Sequence, residues 1–314
     1  MILPFKPRRL LLSMVLAAAA LLGAGCGGGT SQFDPFVPQR LFVFGDETSA
    51  LRSDGAHYAV NGLDTNNQFN CALVLNWVGQ MAAAFGFVFA ECNPNNVANP
   101  QARNYAAAGA RVDDIAAQID LQVAAGGFND KDLVAFHVGT NDIVELYGQF
   151  PQRSADELAA EARARGERAA QQVNRLIALG AKVVLANLPD LGISPFALRE
   201  RGQFNDVDRA ALIARLVAEF NQQLGVRIVL DGRFVGLAQL DQRTQLAGRS
   251  PSSLGLVDVN NAVCTTPPPN CTTGTLVSGA DPGTWLWASD RWMSNGGQNI
   301  LAGLAIDRAR RNPF

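Results

Sequence analysis

The sequence predicts an α/β protein of three layers, a three-layer α/β/α sandwich with a central parallel sheet. Continuous apolar runs of strand length, such as 133–138 and 182–186, alternate along the chain with longer stretches of helical periodicity. This alternation is typical of parallel sheets whose strands are joined by helices, so that both faces of the sheet are buried. The 314 residues are enough for one large domain of this kind even after removal of an N-terminal leader.

The elements can be assigned in order along the chain. Strands are predicted from apolar runs over 41–45, 133–138, 182–186 and 254–259. Helices are predicted from apolar spacing and capping residues over 69–85, 113–126, 154–179, 206–224 and 294–310. In parallel sheets, ligand sites gather at the carboxyl ends of the strands, and we therefore expect the functional residues there.

The N-terminus has the layout of a secretory signal peptide over residues 1–25. Lys6, Arg8 and Arg9 precede an apolar run from 10 to 22, and small residues follow up to Cys26. A helix that spans a bilayer needs about 20 apolar residues, which is more than this run supplies. The sequence LGAGC is similar to a bacterial lipobox, which implies that Cys26 becomes the lipidated first residue of the mature chain.

We accordingly expect three segments, namely the lipoprotein signal peptide at 1–25, a flexible Gly-rich tether at 26–38 and a folded domain at 39–314. The similarity to lipoproteins implies a bacterial cell envelope location, and Gly27 after the cysteine favours the outer membrane. The membrane is then a partner through the lipid on Cys26. An ordinary secreted protein with an unmodified Cys26 is the alternative.

Charge and cysteine usage limit the remaining partners. The formal charge is −2, and loss of the leader removes three cations, so a nucleic-acid partner is not expected. We expect the protein to be a monomer. Four cysteines remain in an exported chain, which predicts disulfide bonds. Of the three possible connectivities, the simplest joins neighbours in the sequence: Cys71 with Cys92, and Cys264 with Cys271.

Four motifs follow predicted strands or loops in a fixed order. They are FGDETS at 44–49, NYAAAGAR at 104–111, GTND at 139–142 and NLPDLG at 187–192. In this order and spacing they resemble the motif blocks of the GDSL/SGNH hydrolases, whose first block reads F-G-D-S-x-S. The resemblance implies the SGNH hydrolase fold, a flavodoxin-like sandwich. It also implies that the Gly109 N–H and the Asn141 side-chain amide are oxyanion donors.

The chain departs from this family at the residues that perform the chemistry. Glu47 stands where the family has its nucleophilic serine. The last block of the family contains D-x-x-H, whereas alignment on Ser294 puts Ser289 and Trp292 at the aspartate and histidine positions. Alignment on the neighbouring Asp290 puts Met293 at the histidine position instead, and neither register supplies an imidazole.

A carboxylate lacks the hydroxyl that a base can convert into an alkoxide, and the members of a triad act as a unit. We therefore predict that the Glu47 carboxylate occupies the pocket formed by the Gly109 N–H and the Asn141 amide, in place of a reaction oxyanion. Arg111 and Arg291 are candidates for its counter-ion. Of the two histidines, His137 lies in a strand and is expected to be a core residue, and His57 lies in a polar loop after Glu47. A base role for His57 would require Ser49 as the nucleophile, which is the disfavoured alternative.

Two functional hypotheses follow from these motifs. The first is a catalytically inactive member that binds an anionic, acylated or glycan ligand, or a protein partner, through the remnant oxyanion pocket. The second is an active ester hydrolase that uses a non-standard residue set. No cofactor and no metal are expected, because zinc-ligand spacing, a P-loop and an EF-hand are not found in the sequence.

Overall fold

A five-stranded parallel sheet forms the centre of the protein, as described by a computed structural model over residues 35–314. The strand order is β2-β1-β3-β4-β5, and every neighbouring pair is parallel. The strands are β1 (Arg40–Gly45), β2 (Ala102–Asn104), β3 (Asp132–His137), β4 (Lys182–Ala186) and β5 (Val235–Ala238). Because all five strands point the same way, their carboxyl ends lie at one edge of the sheet.

Helices cover both faces of this sheet. They are α1 (Trp77–Ala84), α2 (Ile115–Ala124), α3 (Thr140–Tyr147), α4 (Ala155–Ala178), α5 (Pro195–Gln203), α6 (Arg209–Arg227), α7 (Leu240–Arg249) and α8 (Asn295–Arg311). On one face, α8 packs on β4, β5 and α1. On the other face, α2 packs on β1, α4 packs on β4, and these two helices contact each other. Helix α6 lies along α4. The predicted three-layer α/β/α sandwich is therefore confirmed.

The central strands match the sequence predictions closely because they are buried on both faces. Each residue of β3 is buried, and β4 has the bounds predicted for it. The longest helix, α4, begins where the sequence places its cap. The Ser154 hydroxyl accepts a hydrogen bond from the Glu157 N–H at 3.3 Å, and the Glu157 carboxylate accepts one from the Ser154 N–H at 2.8 Å, which is a capping box.

Two predicted elements are wrong in extent or place. The helix predicted over 69–85 begins only at Trp77, because Asn76 caps it and the residues before it form turns beside Cys71. The strand predicted over 254–259 lies at Asp258–Ala262 (β6), where it pairs with Trp285–Trp287 (β7) in a separate two-stranded sheet. Its apolar residues therefore do not extend the central sheet.

Among the described residues, Phe36 already packs on the domain, although the domain was predicted to start at position 39. Phe36 is buried and its ring lies edge-on to that of Phe314, with 5.4 Å between the ring centroids. The signal peptide, Cys26 and most of the tether lie outside the described residues. Within residues 35–314, no helix combines the length and apolar character needed to cross a membrane.

Both predicted disulfide bonds are formed. Cys71 is bonded to Cys92, and Cys264 is bonded to Cys271. The first joins the turns before α1 to the segment after it, so that α1 lies within the closed stretch, and the second fixes a loop next to β6. Both bridges tie down irregular segments.

The turn after β1 needs a glycine for steric reasons. Gly45 has φ of +151°, and a Cβ atom at this position would lie 1.9 Å from the carbonyl oxygen of His137. Gln118 of α2 fixes the same residue, since its side chain accepts from the Gly45 N–H at 2.9 Å and donates to the Gly45 carbonyl at 3.0 Å. The residues that follow Gly45 thereby leave the sheet in one defined direction.

Candidate active site

The candidate site lies where three neighbouring strands end. Glu47 follows β1, Gly109 lies in the loop after β2, and Asn141 lies in the first turn of α3, directly after β3. Since β1 is hydrogen-bonded to both β2 and β3, the three exits are adjacent at the carboxyl edge of the sheet. Residues that are far apart in sequence thus meet at one point.

The loop after β2 is shaped to present a backbone N–H. Asn104 donates from Nδ2 to the carbonyl of Ser49 at 2.8 Å and accepts from the Ala106 N–H at 3.0 Å, which holds this loop against the turn after β1. Gly109 then has φ of +75°, a left-handed conformation that favours glycine. Its N–H points at Glu47.

Glu47 fills the pocket formed by these donors. Its Oε1 accepts from the Gly109 N–H at 2.7 Å, and its Oε2 accepts from Asn141 Nδ2 at 2.7 Å. Nδ2 of Asn141 also donates to the carbonyl of Ala110 at 3.0 Å, which fixes the orientation of the amide. The Glu47 residue is only 9% exposed, so its carboxylate takes up the donors that the family resemblance assigns to an oxyanion.

Asp46 is fully buried next to this carboxylate. Its Oδ1 accepts from the Thr48 N–H at 3.0 Å, whereas Oδ2 has no hydrogen-bond partner among the described residues. Burial, reinforced by the negative charge of Glu47, raises the pKa of Asp46 to about 8. Asp46 therefore shapes the turn as a neutral acid, and it is not a second carboxylate facing a ligand.

A second polar cluster anchors α3 beneath the site. Asp142 accepts from the Val112 N–H at 3.0 Å and pairs with Arg165 of α4 at 3.1 Å. Burial raises the pKa of Asp142 to about 6, while the Val112 N–H and Arg165 act in the opposite direction. Arg165 also pairs with Glu145 at 2.7 Å, so both α3 and the loop that carries Gly109 are tied to the long helix.

The two counter-ion candidates pair elsewhere, and this part of the sequence prediction is wrong. Arg111 binds Glu145 at 2.7 Å, and Arg291 binds its neighbour Asp290 at 2.8 Å. The two donors to Glu47 are neutral amides, one from the backbone and one from a side chain. The pocket therefore holds its carboxylate by hydrogen bonds instead of a salt bridge.

Neither histidine provides a base at this site. His57 is buried, with Nε2 2.8 Å from the carbonyl of Val74, and His137 is buried with Nδ1 3.3 Å from the carbonyl of Ala186. Burial lowers the pKa of each imidazole to about 4. Both rings are held by backbone carbonyls of other elements.

The residues at the family's aspartate and histidine positions have structural roles. Ser289 accepts through Oγ from the Trp292 N–H at 3.4 Å and lies 3.3 Å from Asp290 Oδ1. The Trp292 indole is buried, and Cζ of Arg291 lies over it, 5.4 Å from the ring centroid. The first motif contains two hydroxyl residues, Thr48 and Ser49. Ser49 is also buried, and its hydroxyl accepts a hydrogen bond from the Trp77 indole N–H at 3.1 Å.

Several residues that build the site could not be identified from the sequence. Gln118 and Arg165 act through partners 73 and 23 positions away, so no local spacing connects them to the site. Asn104 opens the motif block at 104–111, but its partner Ser49 is 55 positions away and its role could not be inferred. The Ala110 carbonyl, which fixes Asn141, is a backbone group that no side-chain pattern indicates.

Comparison with known proteins agrees with this architecture. The GDSL-like Lipase/Acylhydrolase family matches residues 41–228, which is more than half of the chain. The chain therefore belongs to the GDSL-like lipase/acylhydrolase family. No curated protein matches it.

Solved structures with a similar fold have low sequence identity to this chain. A member of the lipolytic G-D-S-L family from Veillonella parvula is 11% identical, with 85% of this chain and 96% of that chain covered and a TM-score of 0.44. Phospholipase A1 from Streptomyces albidoflavus is 14% identical, with 87% and 99% covered and a TM-score of 0.44. The lipase/acylhydrolase from Enterococcus faecalis is 14% identical, with 85% and 93% covered and a TM-score of 0.39.

Replacement of Glu47 by glutamine should destabilise the protein by about 1–3 kcal/mol. A glutamine has one acceptor oxygen, so its NH₂ group would face either the Gly109 N–H or the Asn141 amide, and Asn141 cannot turn over without losing Ala110. Urea unfolding measures the change, with the half-exposed Glu167→Gln as the control, expected within about 0.5 kcal/mol of the parent. Equal stability of the two variants would contradict the hydrogen-bonded pocket.

Asp46→Asn should flatten the pH dependence of stability between about pH 4 and pH 8. Folded Asp46 keeps its proton up to about pH 8, while the unfolded chain releases it near its ordinary pKa, so the parent loses stability as the pH rises through this window. The unfolding free energy of the parent minus that of Asp46→Asn should fall by up to about 1.4 kcal/mol per pH unit. Urea unfolding of both proteins at several pH values measures this difference, and a constant value would show that folded Asp46 is ionised.

Proposed function

We propose that this protein is a non-catalytic member of its family, in which the oxyanion pocket is occupied by the protein's own Glu47. The observation that supports this proposal is the pair of 2.7 Å hydrogen bonds to the two carboxylate oxygens. A bound carboxylate resembles the negatively charged oxygen of a tetrahedral intermediate, which is the species these donors stabilise in an acyl-transfer enzyme. The pocket is in this sense filled before any substrate arrives.

Loss of the nucleophile alone would remove most of the catalysis, and the surroundings offer no replacement. Ser49 is buried and bonded to Trp77, and both imidazoles are bonded to backbone carbonyls. A nucleophile needs a base within hydrogen-bond reach and a third group that orients the base. The described residues near Glu47 do not supply this arrangement.

The proposed role is to bind a ligand or a partner at the carboxyl edge of the sheet. Acylated compounds and glycans are the ligand classes that suit a scaffold of this family in a cell envelope. A ligand oxygen can bind the Gly109 and Asn141 donors only after the Glu47 carboxylate has moved away, so such a ligand would compete with Glu47. A ligand that lies over the closed pocket would need other contacts.

We also propose that the protein is a lipid-anchored component of the bacterial cell envelope, exported through residues 1–25 and held by Cys26. The basic and apolar leader, the LGAGC sequence and the glycines after Cys26 support this proposal. Two disulfide bonds are in keeping with an oxidising compartment outside the cytoplasm. The anchor would keep the binding site close to a membrane surface.

The purified protein should not hydrolyse short-chain nitrophenyl esters faster than buffer does. Glu47→Ser alone should remain inactive because no imidazole is available to take the serine proton, whereas Glu47→Ser combined with Ser289→Asp and Trp292→His should recover slight activity. Release of nitrophenol, followed by absorbance, measures each variant.

The matched control for this series carries Glu47→Ser, Ser289→Asp and Trp292→Phe, which removes the indole without adding an imidazole, and it should stay inactive. Turnover by the parent that disappears in Glu47→Ala would overturn the non-catalytic proposal and favour an ester hydrolase with a non-standard residue set. Strong activity of Glu47→Ser alone would mean that another residue acts as the base.

Expression in a bacterium with an alkyne-labelled fatty acid should label the parent chain and place it in the membrane fraction. Cys26→Ser should abolish the label, since the lipid is attached through this thiol, while Ser31→Ala in the same tether should be labelled like the parent. Equal labelling of Cys26→Ser would refute anchoring at this residue, and an unlabelled parent would favour a secreted protein.

A further inference from the structure

A cavity of about 220 Å³ lies between α1 and the segment 87–97 that follows it, beside the Cys71–Cys92 disulfide. Neither Glu47, Gly109 nor Asn141 lines it, so it is separate from the candidate active site. The cavity is half-enclosed and open to solvent on one side. Its ability to hold a ligand therefore depends on the chemistry of its walls.

The walls of this cavity are mainly apolar. Leu51, Leu75, Phe87 and Phe89 contribute to them, together with the disulfide bond itself. Apolar walls of this type do not hold water well, because a water molecule needs two or more polar partners, whereas hydrocarbon fills such a space readily. The walls therefore select an apolar ligand group.

Local hydrogen bonds fix the segments on the two sides of the cavity. Asn76 accepts from the Gly79 N–H at 3.0 Å and so fixes the start of α1. The side chain of Asn93 spans the opposite rim, since it donates to the Val97 carbonyl at 2.9 Å and accepts from the Val97 N–H at 2.8 Å. With the disulfide as a covalent tie, these bonds hold both segments in place.

The polar groups at this cavity are amides. Asn76, Asn93 and Asn95 belong to the lining, and no Asp, Glu, Lys, Arg or His belongs to it among the described residues. The Asn76 amide is buried and already bonded to the Gly79 N–H and to the carbonyls of Ser49 and Ala50, whereas Asn95 lies exposed at the rim. An amide at the rim can pair with a hydroxyl or with a carbonyl oxygen of a ligand, but it does not neutralise a carboxylate. A buried ionised head group would lack a counter-ion here, which favours a neutral ligand.

We propose that this cavity binds the alkyl chain of a small neutral aliphatic compound, such as an alcohol or an acyl ester, with the polar end at the asparagine rim. Benzene, with six carbons, is accommodated by an apolar cavity of about 150 Å³, so 220 Å³ corresponds to a chain of roughly eight carbons. The cavity can bind its ligand whether or not Glu47 is catalytic, because Glu47, Gly109 and Asn141 do not line it.

Calorimetric titration of the full-length mature protein with linear 1-alkanols from butanol to dodecanol tests this proposal. Affinity should rise about fourfold for each added methylene that enters the cavity, and it should level off near roughly eight carbons, where the cavity is full. Octanol should bind more tightly than octanoate, because the rim lacks a cation. Octanoate binding as tightly as octanol would overturn the neutral specificity.

Ala83→Phe is the variant that should abolish this binding. Ala83 is an exposed residue of α1 at the lining of the cavity, so an aromatic ring there would occupy the space without disturbing the core. Ala160→Phe is the matched control, since Ala160 is an exposed alanine of α4 on the other face of the sheet, and it should bind octanol like the parent.

Other outcomes of the titration would overturn the site. These are an absence of saturable binding in the parent, an affinity that keeps rising up to dodecanol, and unchanged binding in Ala83→Phe. The Glu47→Gln variant should bind octanol like the parent, so that a defect at Glu47 and a defect in this cavity remain distinguishable. Loss of octanol binding in Glu47→Gln would contradict the independence of the two sites.

Discussion

The hydrogen bonds from Gly109 and Asn141 to the Glu47 carboxylate are the interaction on which the structure of the site depends. They join the exits of β1, β2 and β3, which are brought together by the parallel register of the sheet. A nearly buried carboxylate is tolerated only when it is well hydrogen-bonded, and bonds to a charged acceptor are shorter and stronger than neutral ones. Glu47 therefore stabilises the same loops that an enzyme would hold ready for its transition state.

The surrounding residues keep this carboxylate in place and keep other charges away from it. Asp46, next in the chain, is buried, and its raised pKa removes a second negative charge from the turn. The nearby arginines are engaged by Glu145 and by Asp290. A cation beside Glu47 would strengthen its binding, yet two neutral amides with good geometry suffice to hold it.

The sequence was sufficient to predict the layers, the central strands and the three residues that meet at the site. The strands have a local signal, since a continuous apolar run predicts a buried strand such as β4. Glu47, Gly109 and Asn141 were instead identified by the resemblance of three motif blocks to those of a known family. The failures have a common cause in long-range contacts. Arg111 was expected to face Glu47, but α4 supplies Arg165 to the same cluster and Glu145 binds both arginines, which no local pattern indicates.

The helix predicted over 69–85 is shortened because the Cys71–Cys92 bond and the Asn76 cap impose turns on an amphipathic stretch.

The occupied pocket has a consequence for the kind of ligand that this scaffold can bind. Glu47 is held beside the Gly109 and Asn141 donors by its own backbone, so its effective concentration at the pocket is far above that of any free anion. A simple carboxylate or phosphate would have to displace this tethered group with nothing to compensate, and is therefore a poor ligand. A molecule that binds must gain its affinity from contacts elsewhere on the protein. Apolar surface is the general source of such affinity, and the described part of the domain provides it in the walls of the cavity beside α1. Under the proposed function, the occupied pocket disfavours small anions, and the apolar cavity independently favours neutral ligands.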